Sequence, residues 1–524
     1  MNRIRTALIS LSDKRGLPDL ARGLHALGVD LVSTGGTAAE IRRADVPVRE
    51  VSELTGFPEI LDGRVKTLHP NIHGGILARR DRPEDLWLLD RMGIAPIDLV
   101  AVNLYPFRET VEEGAGVEAV IEQVDIGGPC LLRASAKNFR HVTVVVDPAD
   151  YPRVLAEIET GGGTTLQTRL ELARKAFAHT SAYDAHIVEY YARLDCCDEK
   201  VAARAAEEGL PDCLHLVLQK YQDLRYGENP HQRGALYVDE LEAWHRWSLP
   251  EQLHGKELSY NNLLDLDAAV GLVGDFTGCA CTVVKHGNPC GAALGRDPGD
   301  AFLRALRTDP DSAFGSIVAF NRPVDEACAA EIARIFVEVA AAPAFTDGAR
   351  EILCRRKNLR VLLCADAGSP RPAGLRVRTL AFGALVQEED VVVPAPEDLR
   401  TVTRKTVPPE LLDDLRFAWT CAKHVRSNAV VTARDGRLLG VGAGQMSRVD
   451  SARLSVSKSR EPLAGAVMAS DAFIPFRDTV DIAADAGVVA VIQTGGSIRD
   501  EEVIAAADER GIAMVFTGMR HFRH

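Results

Sequence analysis

Short apolar runs of strand length recur over residues 1–149, at 7–10, 29–33, 99–104 and 142–146, with stretches of helical spacing between them. Apolar positions at 17–27 fall three and four residues apart and stop at Gly28. This alternation predicts a parallel sheet covered by helices. Another helix is predicted from Ala38, just past the turn Thr34-Gly35-Gly36-Thr37. Residues 150–220 carry a mostly helical pattern, broken at Gly161-Gly162-Gly163, and the charged stretch 195–200 predicts a domain boundary near residue 198. The α/β pattern then resumes. Residues 282–284, 316–320, 429–432 and 488–493 are predicted strands, and the alanine-rich stretch 324–342 is predicted as one long helix. Pro394-Ala395-Pro396 and Pro408-Pro409 mark loops or a joint.

At 524 residues the chain exceeds one core, so two to four domains are expected. A net charge of −13 gives no general basic footprint, and no nucleic-acid partner is expected. No apolar run approaches membrane-spanning length, so no membrane partner is expected either. Ser12-Asp13-Lys14 interrupts the first apolar run too early for a signal peptide. With eleven scattered cysteines, this predicts reduced thiols and a cytoplasmic location.

The chemistry concentrates at predicted strand ends. Lys285-His286-Gly287-Asn288-Pro289-Cys290-Gly291 follows a β-branched run, and its glycines and proline predict a turn there. A cation and an imidazole side by side read either as proton-transfer chemistry or as a polar turn. Thr34-Gly35-Gly36-Thr37, with Ser10, Ser12 and Lys14 nearby, reads as a tight turn or as a phosphate cradle at a helix N-terminus. Arg64-Val65-Lys66-Thr67-Leu68-His69-Pro70 is dense in donors suited to an anion or oxyanion. Tyr105 ends a strand, and Asp125 leads the Gly127-Gly128 turn twelve residues before Lys137. Asp125 and Lys137 read as a tuned pair or as a plain salt bridge.

Farther along, Arg225, Tyr226 and His231 lie in one hydrogen-bonding loop, where the arginine fork suits a phosphate or carboxylate. Cys279, Cys281, His286 and Cys290 raise the question of zinc. The deaminase signature is broken, however: Asn288 replaces the glutamate and no second cysteine follows Pro289-Cys290. No metal is expected. Asn428, Arg448 and the 470–478 stretch, which mixes aromatics with acids, can hold a flat heteroaromatic group or simply pack as a rigid loop.

In this order the chain carries VKTLHP, NLYPF, DIGG, AKN, RYGENPHQ, GKELSYNN, KHGNPCG, SAFG, SDAFIPFRD and GGSIRD. This series closely resembles the bifunctional phosphoribosylaminoimidazolecarboxamide (AICAR) formyltransferase/IMP cyclohydrolase family over nearly the whole chain. The resemblance implies an α/β protein. Residues 1–198 would be the cyclohydrolase, with a methylglyoxal-synthase-like parallel-sheet core (1–149) and a helical extension (150–198). Residues 199–524 would be the transformylase, built as two cytidine-deaminase-like α/β units with a helical insert. It implies a homodimer with transformylase sites shared across the interface, 10-formyltetrahydrofolate as co-substrate, and AICAR, formyl-AICAR and IMP as the other small-molecule partners.

Carried over by motif, His286 would be the base, Lys285 the oxyanion or leaving-group partner, and Asn428 would orient the formyl group. Arg225, Tyr226, His231 and Arg448 would hold AICAR, with Arg520 supplied by a partner subunit. Asp309, Asp471 and Phe473 would face the folate. For ring closure, Lys66 and Tyr105 would act at the formyl oxygen, and Asp125 and Lys137 on the amide proton and the leaving water. Ser10, Ser12, Lys14, Ser33, Thr34, Gly36, Thr37, Arg64 and Thr67 would bind phosphate and ribose. Phe139 and Thr494 depart from residues common in the family, and the chain is shorter than animal relatives, which implies trimmed loops. The rival readings are a non-catalytic nucleotide or folate sensor, a zinc deaminase, and a chain that keeps one activity of the two.

Overall fold

The computed structural model describes residues 3–197, 200–203, 209–239 and 247–524. The chain forms two compact units, Met1–Val217 and Leu218–His524. The boundary expected at residue 198 falls outside the described residues.

In the first unit the apolar runs become β1 (Thr6–Ser10), β2 (Asp30–Ser33), β4 (Leu99–Val102) and β5 (Thr143–Val145), joined by the short β3 (Arg49–Glu50). All five pair in parallel, in the order β3-β2-β1-β4-β5. Leu8, Ile9, Val32, Val100 and Val144 are all buried, as expected for strands covered on both faces. The strand order reverses beside β1. The C-terminal ends of β1 and β4 therefore part and leave a crevice. The helix Leu17–Ala26 matches its expectation, whereas the next helix begins at Gly35 rather than Ala38. First-turn N–H groups need no intrahelical partner, so the helix takes in both glycines.

Helices Tyr151–Gly161 and Leu166–Ala192 occupy the predicted helical stretch, parted by Gly162 at φ 74°. Beyond Ala192 the helical expectation fails. β6 (Leu194–Cys197) and β7 (Lys200–Ala203) pair antiparallel, because this segment has no apolar stripe at helical spacing to bury.

The second unit opens with the hairpin β8 (Leu218–Leu224) and β9 (Gly234–Asp239). Then come β10 (Glu251–His254), β11 (Ala280–Lys285), β12 (Asn288–Leu294), β13 (Ser316–Phe320), β14 (Val337–Ala342) and β15 (Arg360–Leu363). A hairpin of β16 (Leu375–Leu380) and β17 (Gly383–Glu388) follows. The last six strands are β18 (Arg400–Thr401), β19 (Val430–Arg434), β20 (Arg437–Gly442), β21 (Val467–Ser470), β22 (Ala490–Gln493) and β23 (Ala513–Phe516). Twelve of these make one sheet, ordered β10-β15-β14-β13-β11-β12-β20-β19-β21-β22-β23-β18. The order is symmetric about the antiparallel β12–β20 seam. The antiparallel pair β11/β12 answers β19/β20, and the parallel run β13-β14-β15 answers β21-β22-β23. Helices Tyr260–Gly274 and Pro409–Lys423 share one core, where the Phe276 and Phe417 rings stack at 5.1 Å.

Three expectations are corrected here. The predicted long helix 324–342 is a short helix, Glu326–Ile332, followed by strand β14. β14 lies between two strands and is almost wholly buried, so ladder pairing and burial override the helix propensity of alanine. The helical insert is absent among the described residues. The chain between the two halves holds the β16/β17 hairpin and no α-helix. The turn after Lys285 contains only His286 and Gly287, while Pro289 and Gly291 belong to β12.

Where those two helices end, a buried charge cluster closes the core. Asp275 Oδ2 accepts from His424 Nε2 at 2.7 Å and from Lys423 Nζ at 3.1 Å. The other imidazole nitrogen, Nδ1, faces an Arg523 Nη1–H at 3.3 Å. Nε2 thus carries the proton and Nδ1 accepts, which keeps His424 neutral. Burial pushes its pKa down to about 4, against a partial pull upward from Asp275. The unfolded chain, with an ordinary imidazole near 6.5, binds a proton in this window that the folded chain refuses. This contribution is complete above pH 6.5 and is lost as pH falls toward 4. Between pH 6.5 and 4.5, urea denaturation should show the wild type losing about 2 kcal/mol more than His424→Asn. Equal losses would remove His424 as the source.

Candidate active sites

The first site is the crevice at the β1/β4 switch point, a cavity of about 660 Å³. Ser10 reaches it from the end of β1, and Ser12 and Lys14 from the loop that follows. Asn103, just past β4, fixes that loop: its Oδ1 accepts from Ser12 N at 2.6 Å and from Asp13 N at 3.0 Å, and its Nδ2 donates to Asp13 O at 2.8 Å. Thr34, Gly36 and Thr37 line the crevice at the N-terminus of helix Gly35–Arg43, and Thr37 Oγ1 ties the helix to Leu11 N at 3.0 Å. A Cβ placed on Gly36 would lie 3.9 Å from Lys14 Nζ, and one on Gly35 would lie 3.8 Å from Lys66 Nζ. Two ammonium groups therefore flank a helix N-terminus, an arrangement that attracts a phosphate.

Arg64, Lys66 and Thr67 line the same crevice. Lys66 Nζ pairs with Glu59 at 2.9 Å, and Arg64 Nη2 with Glu122 at 2.6 Å. Lys66 crosses over Gly63, which sits at φ 87°; a Cβ there would lie 2.6 Å from Lys66 Cε. Asp125 accepts from Gly128 N at 2.8 Å, and its own N–H donates to Tyr183 Oη at 2.9 Å. Burial raises the Asp125 pKa, opposed by backbone N–H groups and by Lys66. A carboxyl raised in this way can exchange a proton nearer neutrality than an ordinary one. Tyr105 lines the crevice and is partly exposed.

Two residues expected here lie elsewhere. Ser33 is buried, and its hydroxyl donates to Ile9 O at 2.6 Å, tying β2 to β1. Lys137 is exposed at the far end of helix Gly127–Lys137, whose N-terminus follows Asp125. At 1.5 Å per residue this separates it from the crevice by about 15 Å. The cation acting on Asp125 is Lys66.

The second site lies where β11 turns into β12, beside a cavity of about 270 Å³. Lys285 and His286 line it with Asp309 and Ser312. Lys285 Nζ donates to Phe314 O at 2.8 Å. His286 and Gly287 both have left-handed backbone, at φ 54° and 71°. Asp265 holds them, with Oδ2 accepting from His286 N at 3.2 Å and Oδ1 from Gly287 N at 2.6 Å. Asp309 caps the next turn through Ser312 N at 3.1 Å and Ser312 Oγ at 2.7 Å. Gln445 and Lys458 close the opposite wall.

Asn428 adjoins this wall. Its Nδ2 donates to Gln445 O at 2.9 Å, and its Oδ1 accepts from Arg448 Nη2 at 2.8 Å. Arg448 also donates to Ser470 Oγ at 2.8 Å and pairs with Asp471. Asp471 is fully buried, and its second oxygen takes the Ser427 hydroxyl. It therefore orients Arg448 and presents no oxygen to a ligand, which corrects its expected place beside the folate. Phe473 is partly exposed.

Arg225, Tyr226, His231 and Arg520 do not line the cavity within one chain. Arg225 stacks 4.7 Å from the Tyr226 ring centroid, and Arg520 lies 4.4 Å from the Phe522 ring centroid. The cysteines are poor ligands, since burial raises the Cys281 thiol and pushes that of Cys290 up to about 12. Among the described residues no group of three or more His, Cys, Asp or Glu is placed to hold a metal, and no helix is long and apolar enough to cross a membrane. Glu59, Asn103 and Asp265 were not singled out by sequence. Each acts on a partner through folding, and only Glu59, seven residues before Lys66, is close in the chain to the group it holds.

Two family descriptions match the chain: an MGS-like domain over residues 16–130, and the AICARFT/IMPCHase bienzyme over residues 135–458. A solved structure titled "Crystal structure of ForH" is 41% identical, covering 36% of this chain and 96% of that one, with a TM-score of 0.32. The second description takes in well over half of the 524 residues, so the chain belongs to the AICARFT/IMPCHase bienzyme family, with an MGS-like domain ahead of that match.

Proposed function

We propose that the chain performs both reactions named by its family: transfer of a formyl group from 10-formyltetrahydrofolate to AICAR, then dehydrating closure of formyl-AICAR to IMP. The observation that carries this reading is the pair of separate polar sites, each assembled around a cation and a proton-transfer group. The family is one of purine biosynthesis. The folate co-substrate, a cytoplasmic location and a homodimer are part of the proposal, with Arg225, Tyr226, His231 and Arg520 completing transformylase sites across the dimer.

In formyl transfer the AICAR amine is a weak nucleophile, because the ring and carboxamide draw on its lone pair. His286 takes the amine proton as nitrogen bonds to the formyl carbon. Lys285, fixed by Phe314 O, stabilises the oxyanion. The bond from the formyl carbon to the folate nitrogen then breaks, and that nitrogen leaves with a proton. Asn428, held by Gln445 and Arg448, orients the formyl group.

Ring closure is intramolecular, so positioning supplies much of its acceleration. The substrate phosphate sits between Lys14 and the helix N-terminus at Gly35. The carboxamide nitrogen attacks the formyl carbon while Asp125 takes its proton. Lys66 and Tyr105 protonate the formyl oxygen, and the C–O bond breaks to release water as the formamide nitrogen gives up its own proton and forms the ring C=N bond.

The two half-reactions separate by mutation. His286→Ala should lower formyl transfer by at least about 100-fold and leave ring closure intact. Lys66→Ala should do the reverse, by a similar factor. Assays of each half-reaction with its own substrate decide this, and near-normal transfer by His286→Ala would sink the base assignment. Gly63→Ala, which forces Lys66 off its path, should lower ring closure at least about tenfold while leaving transfer unchanged.

A further inference from the structure

The two halves of the twelve-stranded sheet contain the same hairpin. In the first half β11 turns through His286-Gly287 into β12; in the second, β19 turns through Asp435-Gly436 into β20. Both turns place two successive residues in the left-handed region, at φ 54° and 71° in one and φ 53° and 62° in the other. The first residue of each is not glycine, so each turn carries a conformational cost that its surroundings must offset.

The offset is the same in both. Asp265, on helix Tyr260–Gly274, gives one oxygen to His286 N and the other to Gly287 N, at 3.2 and 2.6 Å. Asp414, on helix Pro409–Lys423, gives one oxygen to Asp435 N and the other to Gly436 N, at 2.9 and 2.6 Å. The cation before each turn is matched as well. Lys285 donates to Phe314 O at 2.8 Å, and Arg434 donates to Pro462 O at 2.9 Å and Ala464 O at 2.8 Å. In the second copy the turn is closed by salt bridges of Arg434 with Asp435 and Glu461, and no imidazole is present. That copy shows what the helix carboxylate does where no chemistry is placed on the turn: it caps two N–H groups and fixes a left-handed bend. In the first copy the same cap fixes the residue that carries the imidazole, beside the cavity shared with Asp309 and Ser312.

We propose that Asp265 is a positioning residue for formyl transfer, setting the direction of the His286 imidazole by clamping the backbone of its turn. The proposal rests on the reading of His286 as the base. Both carboxylate oxygens are committed to backbone N–H groups, so Asp265 acts through the chain and not by relaying a proton through the ring. Asparagine at this position keeps one acceptor but turns its amide toward a second N–H, so it serves as the partial variant.

The test compares Asp265→Ala and Asp265→Asn with the matched Asp414→Ala and Asp414→Asn, with the melting temperature as the check on folding of the second unit and ring closure in the same preparations as the check on the first. Asp265→Ala should lower kcat for formyl transfer at least about tenfold, with the AICAR KM changed less than about twofold and ring closure unchanged. Asp265→Asn should fall between it and the wild type. The Asp414 variants should shift the melting temperature by a similar amount and keep transfer kcat near the wild-type value. Transfer kcat retained in both Asp265 variants, or lost equally in both pairs, overturns the proposal. If Asp265→Ala does not fold, Asp265→Asn against Asp414→Asn decides on the same terms. His286→Ala, run alongside, separates the two failures: if it retains transfer, the base reading falls and takes the proposal with it; if it is inactive while Asp265→Ala is active, only the positioning role falls.

Discussion

Backbone hydrogen bonding runs out where a strand ends, and both sites of this protein are built on that shortage. At the end of β11 two successive N–H groups have no ladder partner, and the Asp265 carboxylate supplies both acceptors. The left-handed turn that results carries the imidazole of His286 out of the sheet, while the neighbouring Lys285 ammonium is held on a carbonyl of the adjoining loop. A rigid sheet with a short capped turn gives a precise origin for side chains, which a long loop would not. The seam between β12 and β20 then brings the second half alongside, so that Gln445 and Lys458 face the same cavity.

The first unit meets the same shortage in another way. Parallel strands end together, and the reversal of strand order beside β1 leaves their ends uncovered. A helix N-terminus and two lysines make that edge electropositive, while Glu59 and Glu122 hold Lys66 and Arg64 against self-repulsion. An incoming anionic substrate therefore competes with carboxylates already present, which favours a ligand carrying more than one charge or a bidentate phosphate.

Much of the fold was legible because strands buried on both faces carry a continuous apolar run at their centres, as at β1, β2, β4 and β13. What was not legible has local causes. The alanines of β14 favour a helix in isolation, and only burial between β13 and β15 reverses this. Lys137 stands twelve residues from Asp125 in sequence, but a helix runs between them and carries it away. Asp471 is expected beside the folate because nothing local shows that Arg448 and Ser427 will enclose it. Asp265 is one of two acids on its helix, and its role depends on a turn about twenty residues later. Motif order singled out Lys285 and His286, which share one cavity, and Lys66, Tyr105 and Asp125, which share another; the groups that hold them were not legible.

The central claim is that the chain carries the reactive groups of two separate centres, the transformylase one completed across a homodimer. The direct measurement supplies the purified protein with AICAR and 10-formyltetrahydrofolate in one reaction and with formyl-AICAR alone in another, following formyl-AICAR and IMP in each. The account predicts IMP from both, with closure proceeding in the absence of folate. Binding without turnover, or turnover in only one of the two reactions, would contradict it.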